Sequence, residues 1–135
     1  MNVKKAPFAA ALAAAFTLGS TAHAATELVV VSWGGAYTKS QQLAYHDPYM
    51  KKNPGIKILN DDSASEAVAK LRAMAEANNW SWDLVDMVAS DAITACDEGI
   101  ILPVKHDELL APAPDGTPAS KDFGDLIVSE CFIPQ

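Results

Sequence analysis

Residues Glu27-Leu-Val-Val-Val-Ser-Trp33 form a nearly continuous apolar run rich in valine, and Gly34-Gly35 follow at once. A run of this kind suits a strand buried on both faces, as in a parallel sheet. The two glycines permit a sharp turn that residues with a Cβ resist. From Ala36 to Tyr45 the chain is helix-compatible, with Tyr37, Leu43 and Ala44 as candidates for the inward face. Asp47-Pro48 reads as an N-cap and first helical position, opening a second short helix that Asn53-Pro54-Gly55 ends.

The same alternation then repeats. Ile56-Lys-Ile-Leu59 reads as a second strand, and Ser63-Ala-Ser-Glu66 matches a capping box opening a helix to about Asn78. Val68, Leu71, Met74 and Ala75 share one face of that helix. Trp82-Asp-Leu-Val-Asp-Met-Val88 reads as a third strand, followed by a short helix capped by Ser90-Asp91 and ending near Gly99. His106 to Leu110 fits one helical turn, and Ala111 to Ser120 a loop. The order β-α-β-α-β-α predicts an open α/β sheet of parallel type with helices on both faces.

The first 24 residues stand apart from this pattern. Lys4 and Lys5 precede an apolar stretch from Ala6 to Leu18, and Ala22-His23-Ala24 has the small-x-small form of a cleavage site. These are the parts of a secretory signal peptide, and the stretch is shorter than the roughly 20 residues that span a bilayer. Its removal takes two lysines and no acid, moving the formal charge from −7 to −9. An acidic, exported chain is a poor partner for nucleic acid or anionic membrane, which need clustered Lys and Arg. Export also places the chain where disulfides persist. Cys96 and Cys131 can pair with each other, or Cys131 can have a partner elsewhere.

In an open α/β sheet, ligands bind beyond the carboxyl ends of the strands. That rule selects Ser32 to Tyr37, Asn60 to Glu66, and Ala89 to Asp91. In the first loop, Trp33 offers a flat face that attracts cations, with Gly34, Gly35 and Tyr37 beside it; the alternative is that Trp33 fills the core edge. In the second, Asp62 and Ser63 can bond a polar or cationic ligand, or serve a turn and a cap. In the third, Ser90 and Asp91 stand at a strand end and also suit helix capping. Asp83 and Asp86 point to opposite faces of a strand, and a buried Asp86 needs a partner. Trp80 and Trp82 would share a strand face as packing residues. His46 and His106 lack the spacing of a zinc site, so no metal or cofactor is expected. No nucleophile–base pair stands out, which disfavours a secreted enzyme.

In their order, Leu28-Val-Val-Val-Ser-Trp-Gly-Gly-Ala-Tyr37, Asp47-Pro-Tyr-Met-Lys-Lys-Asn-Pro-Gly-Ile-Lys-Ile58, Ser65-Glu-Ala-Val-Ala-Lys-Leu71, Trp82-Asp-Leu-Val-Asp86 and Ala95-Cys-Asp-Glu-Gly-Ile-Ile-Leu-Pro103 resemble the extracellular solute-binding proteins of ABC importers. The likeness is to the spermidine/putrescine-binding group. It implies a two-lobed periplasmic-binding-protein fold of type II, in which residues 25–135 are a partial N-terminal lobe after a 1–24 signal peptide. It implies a periplasmic receptor that traps a small cationic or polar solute, such as a polyamine, by closing its lobes and delivers it to permease subunits in the inner membrane. Trp33 and Tyr37 match the aromatic contacts of the polyamine members' first loop, and Ser90 and Asp91 stand where their third loop supplies polar and acidic contacts. A receptor for another small solute such as iron(III), and a truncated remnant that binds a partner protein, are the alternatives.

Overall fold

A computed structural model describes residues 25–134; the signal-peptide reading of residues 1–24 lies outside them. Strand β1 spans Thr26–Val31 and is followed by helix α1, Gly35–Gln41. A π-helical turn, Gln42–His46, runs straight into α2, Asp47–Lys52. Then come β2 (Ile56–Asp61), a 3-10 turn (Ala64–Glu66), α3 (Ala67–Ala77), β3 (Leu84–Val85) and α4 (Ala89–Asp97). Two short helices, α5 (His106–Leu109) and α6 (Ala119–Phe123), and a 3-10 turn (Gly124–Leu126) complete the order. No helix among the described residues is long and apolar enough to cross a membrane.

The expected open parallel α/β sheet is present. Its order is β2-β1-β3, with β1 parallel to both neighbours. Thr26 pairs with Ile56 and Val31 with Asp61, while Val31 also pairs with Val85. Val30 and Val31 are both buried. Consecutive strand residues point to opposite faces, so both faces of the sheet are covered at the carboxyl end of β1. On the helices, Ala64, Ala67 and Leu71 are buried along one stripe, and Ala92 and Ala95 along another. A paired guanidinium–carboxylate contact ties α3 to the end of α4, with Arg72 Nε 2.7 Å from Glu98 Oε2 and Nη2 2.5 Å from Oε1.

Several local expectations give way to the demands of buried polar groups. The inward side of the first helical run is Thr38, Gln41 and His46, whereas Tyr37, Leu43 and Ala44 are exposed. The chain does not break at Asp47: its backbone is helical (φ −63°, ψ −45°) and its N–H donates to the Gln42 carbonyl across the π turn. The wider turn suits Pro48, which has no N–H for an α-helical bond. The Ser63 capping box is not made. The Ser63 hydroxyl instead donates to the Asp61 carboxylate, and Glu66 faces Lys70 at 3.4 Å. The third strand shortens to Leu84–Val85, and just before it the Asp83 carboxylate accepts the Val29 N–H at 2.7 Å. Trp80 and Trp82 therefore lie outside it, Trp80 half-exposed and Trp82 half-buried.

Helix α4 begins after Val88, whose extended backbone occupies the capping position; Ser90 and Asp91 lie inside the first turn and make no side-chain cap. It ends at Gly99, φ +67°, with Gly99 N–H on the Cys96 carbonyl and Ile100 N–H on the Ala95 carbonyl. That double bond is a Schellman close, and it requires the left-handed backbone glycine adopts. Cys96, in the last turn of α4, is joined to Cys131 by a disulfide with the Cα atoms 5.8 Å apart. The chain after α4 is further organised by Val104 N–H to the Glu130 carbonyl (2.7 Å) and by Ser120 on the Asp107 carboxylate (2.8 Å).

Candidate functional site

The carboxyl ends of the three strands lie side by side, as the order β2-β1-β3 requires. Backbone bonds tie the first two ends together: Ser32 N–H donates to the Asp61 carbonyl at 2.7 Å, and Ala64 N–H to the Ser32 carbonyl at 3.2 Å. Beyond Ser32 the chain projects Trp33 outward, with 41% of its surface exposed, so the side chain is not a core filler. Gly34 has φ +85° and ψ 176°, a conformation essentially restricted to glycine, and turns the chain into α1. Gly35 is the first residue of that helix and Tyr37 lies exposed within it.

Asp62 stands against Gly34 and accepts a hydrogen bond from the Thr38 hydroxyl at 2.8 Å. The same hydroxyl oxygen accepts the Gly34 N–H at 3.0 Å. Asp61, its neighbour, is used differently: it holds Ser63 and accepts the Trp82 indole N–H at 3.1 Å. Lys70 sits 5.6 Å above the Trp82 ring. The Ser63 hydroxyl, then the Trp82 indole and the Lys70 charge, hold the Asp61 carboxyl below the usual carboxylate range.

At the third strand end the buried acid is Asp86, which accepts the Gln41 side-chain N–H at 2.8 Å. The Gln41 carbonyl in turn accepts the Ser32 hydroxyl at 2.6 Å. Desolvation, with Asp86 and Tyr45 adding to it, pushes the Tyr37 hydroxyl above its ordinary value. Gly34 and Asp62 thus meet, Trp33 and Gly35 flank Gly34 in the chain, and Tyr37 lies near Asp86 and Tyr45. Ser63 turns toward Asp61, and Ser90 and Asp91 occupy the first turn of α4, where the Ser90 carbonyl accepts the Thr94 hydroxyl at 2.9 Å. Thr38 and Gln41 escaped the sequence reading. Their signal was two polar residues three apart, one turn after Gly-Gly, in a helix facing strand ends rich in acids.

The strand ends leave the Asp62 carboxylate exposed, and Trp33 and Tyr37 partly so. Among the described residues, one grouping of metal-type donors lies elsewhere, Cys96, Glu130 and Cys131, but both sulfurs there are spent in the disulfide and are not thiolates.

Open α/β sheets bind ligands beyond their strand ends, and comparison with known sequences gives the family. Residues 44–132 match the family of bacterial extracellular solute-binding proteins, and the chain belongs to that family. It is similar to the gamma-aminobutyric acid-binding protein of Pseudomonas aeruginosa, 32% identical over 106 residues, covering 78% of this chain and 27% of that protein. The chain therefore spans about a quarter of the length of the curated relative it matches.

Proposed function

We propose that this chain is part of a periplasmic receptor of an ABC importer, and that its solute is a small molecule carrying an ammonium group on a short aliphatic chain. Putrescine and spermidine fit that class, as does the solute for which the Pseudomonas relative is named. The observation that carries the reading is the exposed Trp33 face at a strand end whose neighbouring loop supplies the Asp62 carboxylate. An alkylammonium over tryptophan gains roughly 0.5–2 kcal/mol, more as water is excluded, and a nearby carboxylate adds charge pairing. The role is capture and delivery to permease subunits, not catalysis.

Residues 25–135 are, in this reading, the beginning of an N-terminal lobe exported by the 1–24 signal peptide, with a second lobe closing over the solute. The share of the relative that is matched supports this. An open edge desolvates a ligand poorly, so closure would supply most of the affinity.

Calorimetric titration of the complete secreted receptor, second lobe included, with putrescine, spermidine and gamma-aminobutyric acid tests the proposal. Heat of binding to at least one, weakened about tenfold by Trp33→Ala and unchanged by Trp80→Ala, is the expected result. No binding of any of the three at millimolar concentration overturns the ammonium class.

A further inference from the structure

The three strand ends converge on one short stretch of helix. Thr38 and Gln41 are three residues apart and therefore share a side of α1. Each side chain both donates and accepts. Thr38 accepts from Gly34 N–H (3.0 Å) and donates to Asp62 (2.8 Å); Gln41 accepts from Ser32 (2.6 Å) and donates to Asp86 (2.8 Å). Thr38 thereby connects the turn after β1 to the turn after β2, and Gln41 connects the end of β1 to the end of β3. Both residues are at least nine-tenths buried. Packing alone would be met as well by valine and methionine, which need no partners. Buried polar groups cost free energy unless bonded, and bonded ones fix orientation because few geometries satisfy them.

We infer that Thr38 and Gln41 are positioning residues that set the spacing of the solute-binding loops, holding Trp33, Gly34 and Asp62 in one fixed arrangement. This rests on the ammonium-solute reading above for its functional meaning, though the geometry of the loops is a property of the free protein. Both side chains project from α1 itself, ahead of the π turn. Such preorganisation lowers the ordering cost that ligand binding would otherwise carry.

The test compares the complete receptor, second lobe included, with its Thr38→Val, Thr38→Ser and Gln41→Met variants by two readouts. The first is the nitrogen–proton spectrum of the ligand-free protein, followed at the Gly34 and Gly35 amides and the Trp33 indole. The second is calorimetric affinity for putrescine and gamma-aminobutyric acid. Thr38→Val and Gln41→Met are expected to shift and broaden the loop signals while the β1–β2 ladder amides stay in place, and to weaken binding about tenfold. Thr38→Ser, which restores the hydroxyl, is expected to return both readouts to the parent values. Unmoved loop signals in Thr38→Val, or failure of Thr38→Ser to restore them, overturn the inference. If Gln41→Met does not fold, the Thr38 pair decides it. If the parent binds neither probe, the solute reading falls, and the spectra alone decide whether the clamp holds.

Discussion

Gly34 and Asp62 are in contact at the end of the sheet: a Cβ placed on residue 34 would lie 3.3 Å from both Cβ and Cγ of Asp62. The loop after β1 and the loop after β2 therefore meet where only a hydrogen stands between backbone and carboxylate.

Gly34→Ala incurs two penalties. The backbone sits at φ +85°, and a side chain there costs about 1–3 kcal/mol, before the approach to Asp62 is counted. Urea unfolding should show a loss of at least that size. Gly55→Ala is the control. Nothing lies within 4 Å of its added Cβ, and its effect should stay within about 0.5 kcal/mol.

Asp86→Ala leaves the buried Gln41 N–H without the acceptor it has at 2.8 Å. Leaving such a donor unmet costs about 1–3 kcal/mol. Asp86→Asn retains a carbonyl oxygen in the same place and should lose less. Equilibrium unfolding of the two variants in parallel separates the hydrogen bond from the charge.

The Asp61 carboxyl is held below its ordinary value, first by Ser63. A lowered folded-state value makes a contribution to stability that is complete above the unfolded value, near 4, and is lost as pH falls through the folded one. Ser63→Ala should raise the Asp61 titration midpoint, followed by carboxyl-carbon NMR, and move the onset of acid unfolding to higher pH. An unchanged midpoint would show that Trp82 and Lys70 suffice.

The disulfide closes a stretch of 35 residues. A cross-link of that span stabilises by about 3–4 kcal/mol in the loop-entropy account. Reduction, or Cys96→Ser with Cys131→Ser, should speed hydrogen exchange first in residues 100–134. The β1–β2 ladder should keep its protection longer.

Much of this arrangement can be read from the residues. The apolar run at 28–31, the repeating strand–helix order and the strand-end rule lead to a parallel sheet and to the Trp33 loop. Helix faces and caps are less legible. Periodicity assigns apolar residues inward, yet Thr38 and Gln41 turn inward because Ser32, Asp62 and Asp86 need partners that come from distant strands. Ser63 likewise has a capping partner available nearby, and Asp61 takes it instead. Which of two polar partners prevails depends on three-dimensional neighbours that a local pattern does not contain.

The π turn at Gln42–His46 has a consequence for the screw of the helix that carries it. In an unbroken α-helix the stripe through Thr38 and Gln41 would continue to Tyr45, four residues on. The π turn advances it to His46, which is buried, and leaves Tyr45 in solvent. The run is thus two helices joined out of phase by one residue. Its first part is rotated to serve the strand ends, and its second to set the Met50 sulfur 3.2 Å from the Ile58 N–H of β2. A single helical phase could not face both.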